Sequence, residues 1–215
     1  MADWVTISSL ATAGGTLVLA VATFSSVKSS NRSARIAEQS LLVGMRPVLI
    51  PSREDDPTEH VRFPERLVVV PGHRAAIEAT EDVIYLAMAL RNGGAGLAVI
   101  HGWRVGVSDP NISQSEQIGQ RPDADEFRRQ QLDLYIPAGD TGFWQGALRD
   151  PQDPVQATVR SALGGGERVL LDLLYGDHEG GQRAVARFGI VADDDGQGRR
   201  AMILRYFNLD RDDPR

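Results

Sequence analysis

The sequence predicts a mainly β protein, built as an amino-terminal transmembrane helix and helical stalk followed by a two-sheet β-sandwich. Three observations carry that expectation. Trp4 to Val27 is free of charge, a basic segment of helical spacing follows it, and from Arg46 onward short β-rich runs alternate with Gly, Pro and Asp. The corresponding divisions are 1–27 for the anchor, 28–45 for the stalk and 46–215 for the β domain.

The anchor rests on length. The uncharged stretch, at about 1.5 Å per residue, reaches roughly 36 Å and so spans a hydrocarbon core of about 30 Å with some tilt. Trp4, Leu10, Leu17, Leu19, Val21, Phe24 and Val27 supply its membrane-spanning apolar positions, while Ser8, Ser9, Thr12, Gly14, Gly15 and Thr16 dilute its first half. Ala20-Val21-Ala22 resembles a signal-peptidase site, but Asp3 stands where a positive region belongs. A helix buried in a soluble domain is the other competing reading, and it lacks the polar face such a helix carries. Lys28, Arg32 and Arg35 follow the span, and the positive-inside bias then puts the amino terminus outside and the large domain in the cytoplasm. Ala11 and Gly15 have the small-xxx-small spacing of a helix–helix contact, set against the bland reading of small residues tolerated in a lone helix.

The stalk continues the helix to Gly44, because Val27, Ala34 and Leu41 recur at seven and Pro47 forbids further helix. Beyond it, strands are expected at 47–51, 66–70, 83–91, 98–108, 132–136, 142–148, 168–175, 183–192 and 201–208. Turn-rich joints at Tyr175 to Gln182 and Asp193 to Gly198 make the last three strands a meander. Residues 109–131 read as a long loop or short surface helix, and Asp153 to Leu163 as one short helix.

Composition narrows function. The 215 residues carry a formal charge of −6 with no basic stripe, so nucleic acid is not an expected partner, and the absence of cysteine removes disulfide and thiolate chemistry. The glycine-rich Arg91 to Gly96 lacks the Lys-Ser/Thr pair and helix start of a phosphate loop. Asp193-Asp194-Asp195 lacks EF-hand spacing, and His60, His73, His101 and His178 are dispersed, with Asp177-His178-Glu179 an acidic turn. No G-x-S-x-G elbow occurs, and Ser52, Ser108 and Ser161 carry no mark of a nucleophile. No catalytic, cofactor-binding or metal residue is therefore assigned, and no cofactor is expected.

Arg46-Pro47-Val48-Leu49, LRNGGAGLA at 90–98, IPAGD at 136–140 and YGDHEG at 175–180 follow the anchor in order. In that order the chain resembles a loose group of uncharacterised bacterial single-pass membrane proteins with an amino-terminal helix and an immunoglobulin-like β-sandwich. The resemblance implies architecture and carries over no activity and no site residues. The expected function is a non-enzymatic protein-interaction or accessory module, its partners the bilayer and another protein or a second copy. The rivals are an anchored hydrolase or metal-dependent enzyme, and a cell-envelope domain with the anchor cleaved or inverted.

Overall fold

The computed structural model describes residues 3–193 and 198–212. The chain divides into two compact units, Met1–Gly44 and Met45–Arg215. The first holds one helix, α1 (Trp4–Gly44, 41 residues), which by its length reaches roughly 60 Å. The segments expected as anchor and stalk are thus one unbroken helix. Leu17, Val18 and Leu19 are each 68% exposed and Phe24 72%, so the described apolar side chains of its first half are uncovered. Among the described residues no helix is long and apolar enough to cross a membrane. The side chains of Trp4 to Ile7 and of Ser9 to Ala11 lie outside the described set.

The second unit is β-rich, as predicted. Its strands are β1 (Leu49–Pro51), β2 (Glu59–Arg62), β3 (Leu67–Val70), β4 (Arg74–Ala79), β5 (Ile84–Asn92), β6 (Ala98–Val107), β7 (Arg128–Ile136), β8 (Thr141–Leu148), β9 (Val169–Gly176), β10 (Arg183–Ala192) and β11 (Arg199–Asn208). Among the described residues two α-helices, α2 (Gln114–Gly119) and α3 (Pro154–Gly165), and a 3-10 turn at Ala124–Glu126 fill connections. All the expected strands appear, the last three as an antiparallel meander.

The layering differs from the expected immunoglobulin-like pair of facing sheets. Among the described residues nine strands form one continuous curled antiparallel sheet, and β2 and β3 stand apart as a ribbon. The cause is β5, which carries β8 along one edge and both β4 and β1 along the other. From β4 the order runs β11, β10, β9, β6, β7, so curling brings the terminal strands β7 and β8 side by side.

Strand β5 shows why the pattern works. Ile84, Leu86, Met88 and Leu90 point into the main core with Trp103, Trp144, Leu171 and Phe188. Tyr85, Ala87 and Ala89, on the opposite face, lie beneath the ribbon with Val61, Phe63, Val68 and Val70. A strand buried on both faces reads as a continuous apolar run, and β5 does. Helix α3 closes the remaining gap by packing against β6. Asp153 caps it by accepting from the Val155 amide at 3.0 Å, Pro154 opens it, and Gly166 ends it at φ 70°.

Candidate functional site

Two constellations stand out in the β domain. The first gathers all four motifs that carry the resemblance, and it is structural. Asn92 is fully buried at the end of β5. Its Oδ1 accepts from the amides of Val48 at 3.1 Å and Gly94 at 3.0 Å, and its Nδ2 donates to the carbonyls of Gly96 at 2.6 Å and Ile136 at 3.0 Å. Its backbone meets Gly139 and Asp140 of the IPAGD turn. A side chain at Gly96 would collide with the Met45 carbonyl, and one at Gly94 with that of Arg46. The glycines therefore admit the entering backbone and leave no room for a phosphate. Arg46 forks onto Asp210 at 2.6 and 3.0 Å, and Tyr206 donates to the Leu49 carbonyl at 2.7 Å. Burial pushes Tyr175, beside this segment, up to about 12.

The second is the seam between β7 and β8. These strands lie side by side, yet no backbone hydrogen bond joins them among the described residues. Among the described residues the one hydrogen bond across comes from the Gln130 side chain, which donates from Nε2 to the Gln145 carbonyl at 3.2 Å. The result is an open groove of about 950 Å³ whose lining includes Trp103, His101, Arg129, Gln130, Leu132 and Gln145. A bulge makes it: β6 and β7 pair from Ala98↔Ile136 to Ile100↔Leu134 and resume at Gly102↔Arg129, so 130–133 swing out opposite His101 alone.

Residues that line the groove carry buried polar atoms without partners: Gln130 Oε1, Gln145 Oε1 and His101 Nε2, the last lying toward Gly176 on β9. Gln145 is only 8% exposed. Desolvation pushes the His101 imidazole below its ordinary value, reinforced by Arg183 and opposed by Asp177. Trp103 underlies the groove, edge-on to Trp144 at 5.4 Å, with the Arg128 guanidinium 5.5 Å above its ring. Arg128 is held by Asp153 at 2.5 Å and Arg149 by Glu65 at 2.7 Å, whereas Arg129 has no ion pair among the described residues. Leu132 and Tyr135 on β7 are 54% and 53% exposed.

No family model matches the chain, and no curated protein matches it. Among solved structures, a protein of Archaeoglobus fulgidus is similar at 9% identity and a TM-score of 0.26, over 63% of this chain and 94% of its own. A structural-genomics target solved by X-ray diffraction is similar at 11% identity and a TM-score of 0.23, over 81% of this chain and 90% of its own. Likeness at this level carries no argument about the fold or the activity.

The remaining residues singled out in the sequence fall into place separately. Ser52 is buried, but its hydroxyl accepts from the His73 backbone amide at 2.9 Å while the His73 ring meets the Ser52 carbonyl at 3.1 Å, which is not a nucleophile–base arrangement. Asp193 pairs with Arg74 and, at 2.6 Å, with Arg200; Asp194 and Asp195 lie outside the described residues. Asp177 caps its own turn through the Gly181 amide at 2.9 Å. Among the described residues no group of three His, Asp or Glu side chains is placed to hold a metal ion. Lys28, Arg32 and Arg35 lie exposed on α1, as do Leu17, Leu19, Val21, Phe24 and Val27. Gly15 has open space around its Cα, and Ala11, Trp4 and Leu10 have side chains outside the described set. Sequence reasoning missed Arg129, Gln130 and Gln145. They are ordinary polar residues in strands, and their one available signal was the break in β alternation at 128–133.

Proposed function

We propose that the chain is a single-pass, membrane-tethered, non-enzymatic interaction or accessory module with its β domain on the cytoplasmic side. The observation that carries it is the uncovered apolar run Leu17 to Phe24 on a helix that continues without a break into the basic Lys28, Arg32 and Arg35. Uncovered apolar surface of this kind calls for lipid or another protein. The hydroxyls that dilute the first half support the reading. Thr12 donates to the Ser8 carbonyl and Thr16 to that of Thr12, each at 2.9 Å, so both are satisfied within the helix as a bilayer requires.

The non-enzymatic part is supported by the structural duties of the groups that most invited chemistry. The glycine-rich loop admits the entering strand, Ser52 and His73 brace a turn, and Asp193 holds two arginines. The test is membrane fractionation with topology reporters fused after Gly44 and at Arg215. Pelleting that resists alkaline carbonate, with both reporters scoring cytoplasmic, is the expected outcome. Release into the soluble fraction would overturn the tether, and reporters scoring outside would overturn the orientation.

A further inference from the structure

We propose that the seam between β7 and β8 accepts an extended acidic peptide of a partner protein, added as a strand between the two edges. The inference deepens the interaction-module reading and rests on it.

The seam is an unclosed sheet rather than a surface hollow. Each strand has one edge paired, β7 to β6 and β8 to β5, and turns the other toward the gap. The Gln145 carbonyl accepts from the Gln130 side chain across the seam, so it points away from β5. Because backbone groups alternate along a strand, those of Phe143 and Ala147 present the same edge. Unpaired edges are templates for a further strand, and native proteins ordinarily cover or charge them.

The groove is also built for hydrogen-bond donors. Gln130 Oε1 and Gln145 Oε1 are buried acceptors with nothing to accept from, and Gln145 is more than nine-tenths buried. Orphaned buried polar atoms are rare in folded proteins and are costly where they occur. The N–H groups of an extended peptide supply the missing donors. Charge selects the side chain. Of the charged residues that line the groove, Arg129 and Asp133 have no ion pair among the described residues, while Arg128 and Arg149 already hold Asp153 and Glu65; Arg129 is the cation left to select an acidic side chain. An acidic residue of the incoming strand is its natural partner.

The probe is a fluorescein-labelled peptide of about eight alternating glutamate and valine residues, one strand length, titrated with the detergent-solubilised full chain and read by anisotropy. Saturable binding is expected. A lysine/valine peptide should bind at least about tenfold more weakly, and the glutamate peptide methylated on alternate backbone nitrogens should not bind. Arg129→Glu, at an exposed site, should weaken the glutamate peptide about tenfold with an unchanged melting curve. No saturable binding, or binding indifferent to N-methylation or to Arg129→Glu, overturns the proposal. In cells, a photocrosslinking residue at Leu132 on the groove rim is compared with one at Leu67 on the ribbon, which is also exposed. Adducts at Leu132 that Arg129→Glu removes support the groove. Adducts at Leu67 alone keep the interaction module and overturn the groove, and adducts at neither overturn both.

Discussion

Asp172 and Arg187 stand directly opposite each other on β9 and β10, 2% and 3% exposed, joined by two parallel bonds of 2.7 and 2.9 Å. Arg104 adds a third bond to Asp172 at 3.0 Å, and the other end of Arg187 donates to the carbonyls of Gln117 and Gln120 at the close of α2. One guanidinium thus caps a short helix and neutralises a carboxylate inside the sheet.

Removing Asp172 leaves the Arg187 charge buried without its carboxylate, which costs about 3–5 kcal/mol, and removing Arg187 leaves buried Asp172 with Arg104 alone. Asp172→Ala and Arg187→Met are each expected to lower the thermal midpoint sharply. The double variant is expected to recover a substantial part of that loss, and circular dichroism melts of all four proteins check it. Equal or additive losses would show that the pair is not a coupled unit.

Asn92 supports a second prediction. Asn92→Ala removes the partner of two part-buried amides and two buried carbonyls, at about 1–3 kcal/mol for each group left unsatisfied. Gly96→Ala meets the Met45 carbonyl and should destabilise by a comparable amount through displacement of the entry strand. Urea denaturation with an unchanged slope and a lower midpoint is the expected signature. A midpoint equal to the parent's would refute the structural assignment of the glycine-rich loop.

His101 predicts a pH dependence. Its folded pKa lies below the ordinary value, first through desolvation and then through Arg183, with Asp177 acting oppositely. Unfolding restores a pKa of about 6.5, so below that pH the unfolded chain binds more protons and acid favours unfolding. The contribution is complete above about pH 6.5 and is lost as the pH falls toward the folded value. Subtracting the melting profile of His101→Gln from that of the parent should isolate this limb. A flat difference between about pH 7 and 5 would contradict the burial of the imidazole.

The topology prediction concerns charge alone. Replacing Lys28, Arg32 and Arg35 by glutamine and adding two lysines before Trp4 should invert the carboxy-terminal reporter, because orientation follows the basic flank. An unchanged reporter would place the determinant elsewhere.

What the sequence reveals depends on how local the physics is. β5 announces itself because burial on both faces makes it a continuous apolar run, and β9 and β10 because each is apolar along most of its length, broken inside by the single charges Asp172 and Arg187. The residues of α3 carry their own cap, opening proline and terminal glycine. β2 hides because only Val61 of its four residues is buried, and β4 because Arg-Ala-Ala-Ile-Glu-Ala is helix-favouring in composition. The curl of the sheet is not legible, since it depends on β5 pairing, besides its neighbour β4, with β1 and β8 from distant parts of the chain. The groove is hidden for the same reason: His101, Arg129 and Gln145 come together only when β7 and β8 meet at the end of that curl.

The knot around Asn92 has a mechanical consequence. The helix joins the domain at Met45, so any tension along it is delivered first to Arg46, Val48 and Leu49. Those three residues are fastened to Asp210, Asn92 and Tyr206, which belong to the end of β5, to β11 and to the segment after it. A pull on the helix is therefore divided among separate parts of the sheet instead of peeling back one strand, so the domain keeps its shape under load.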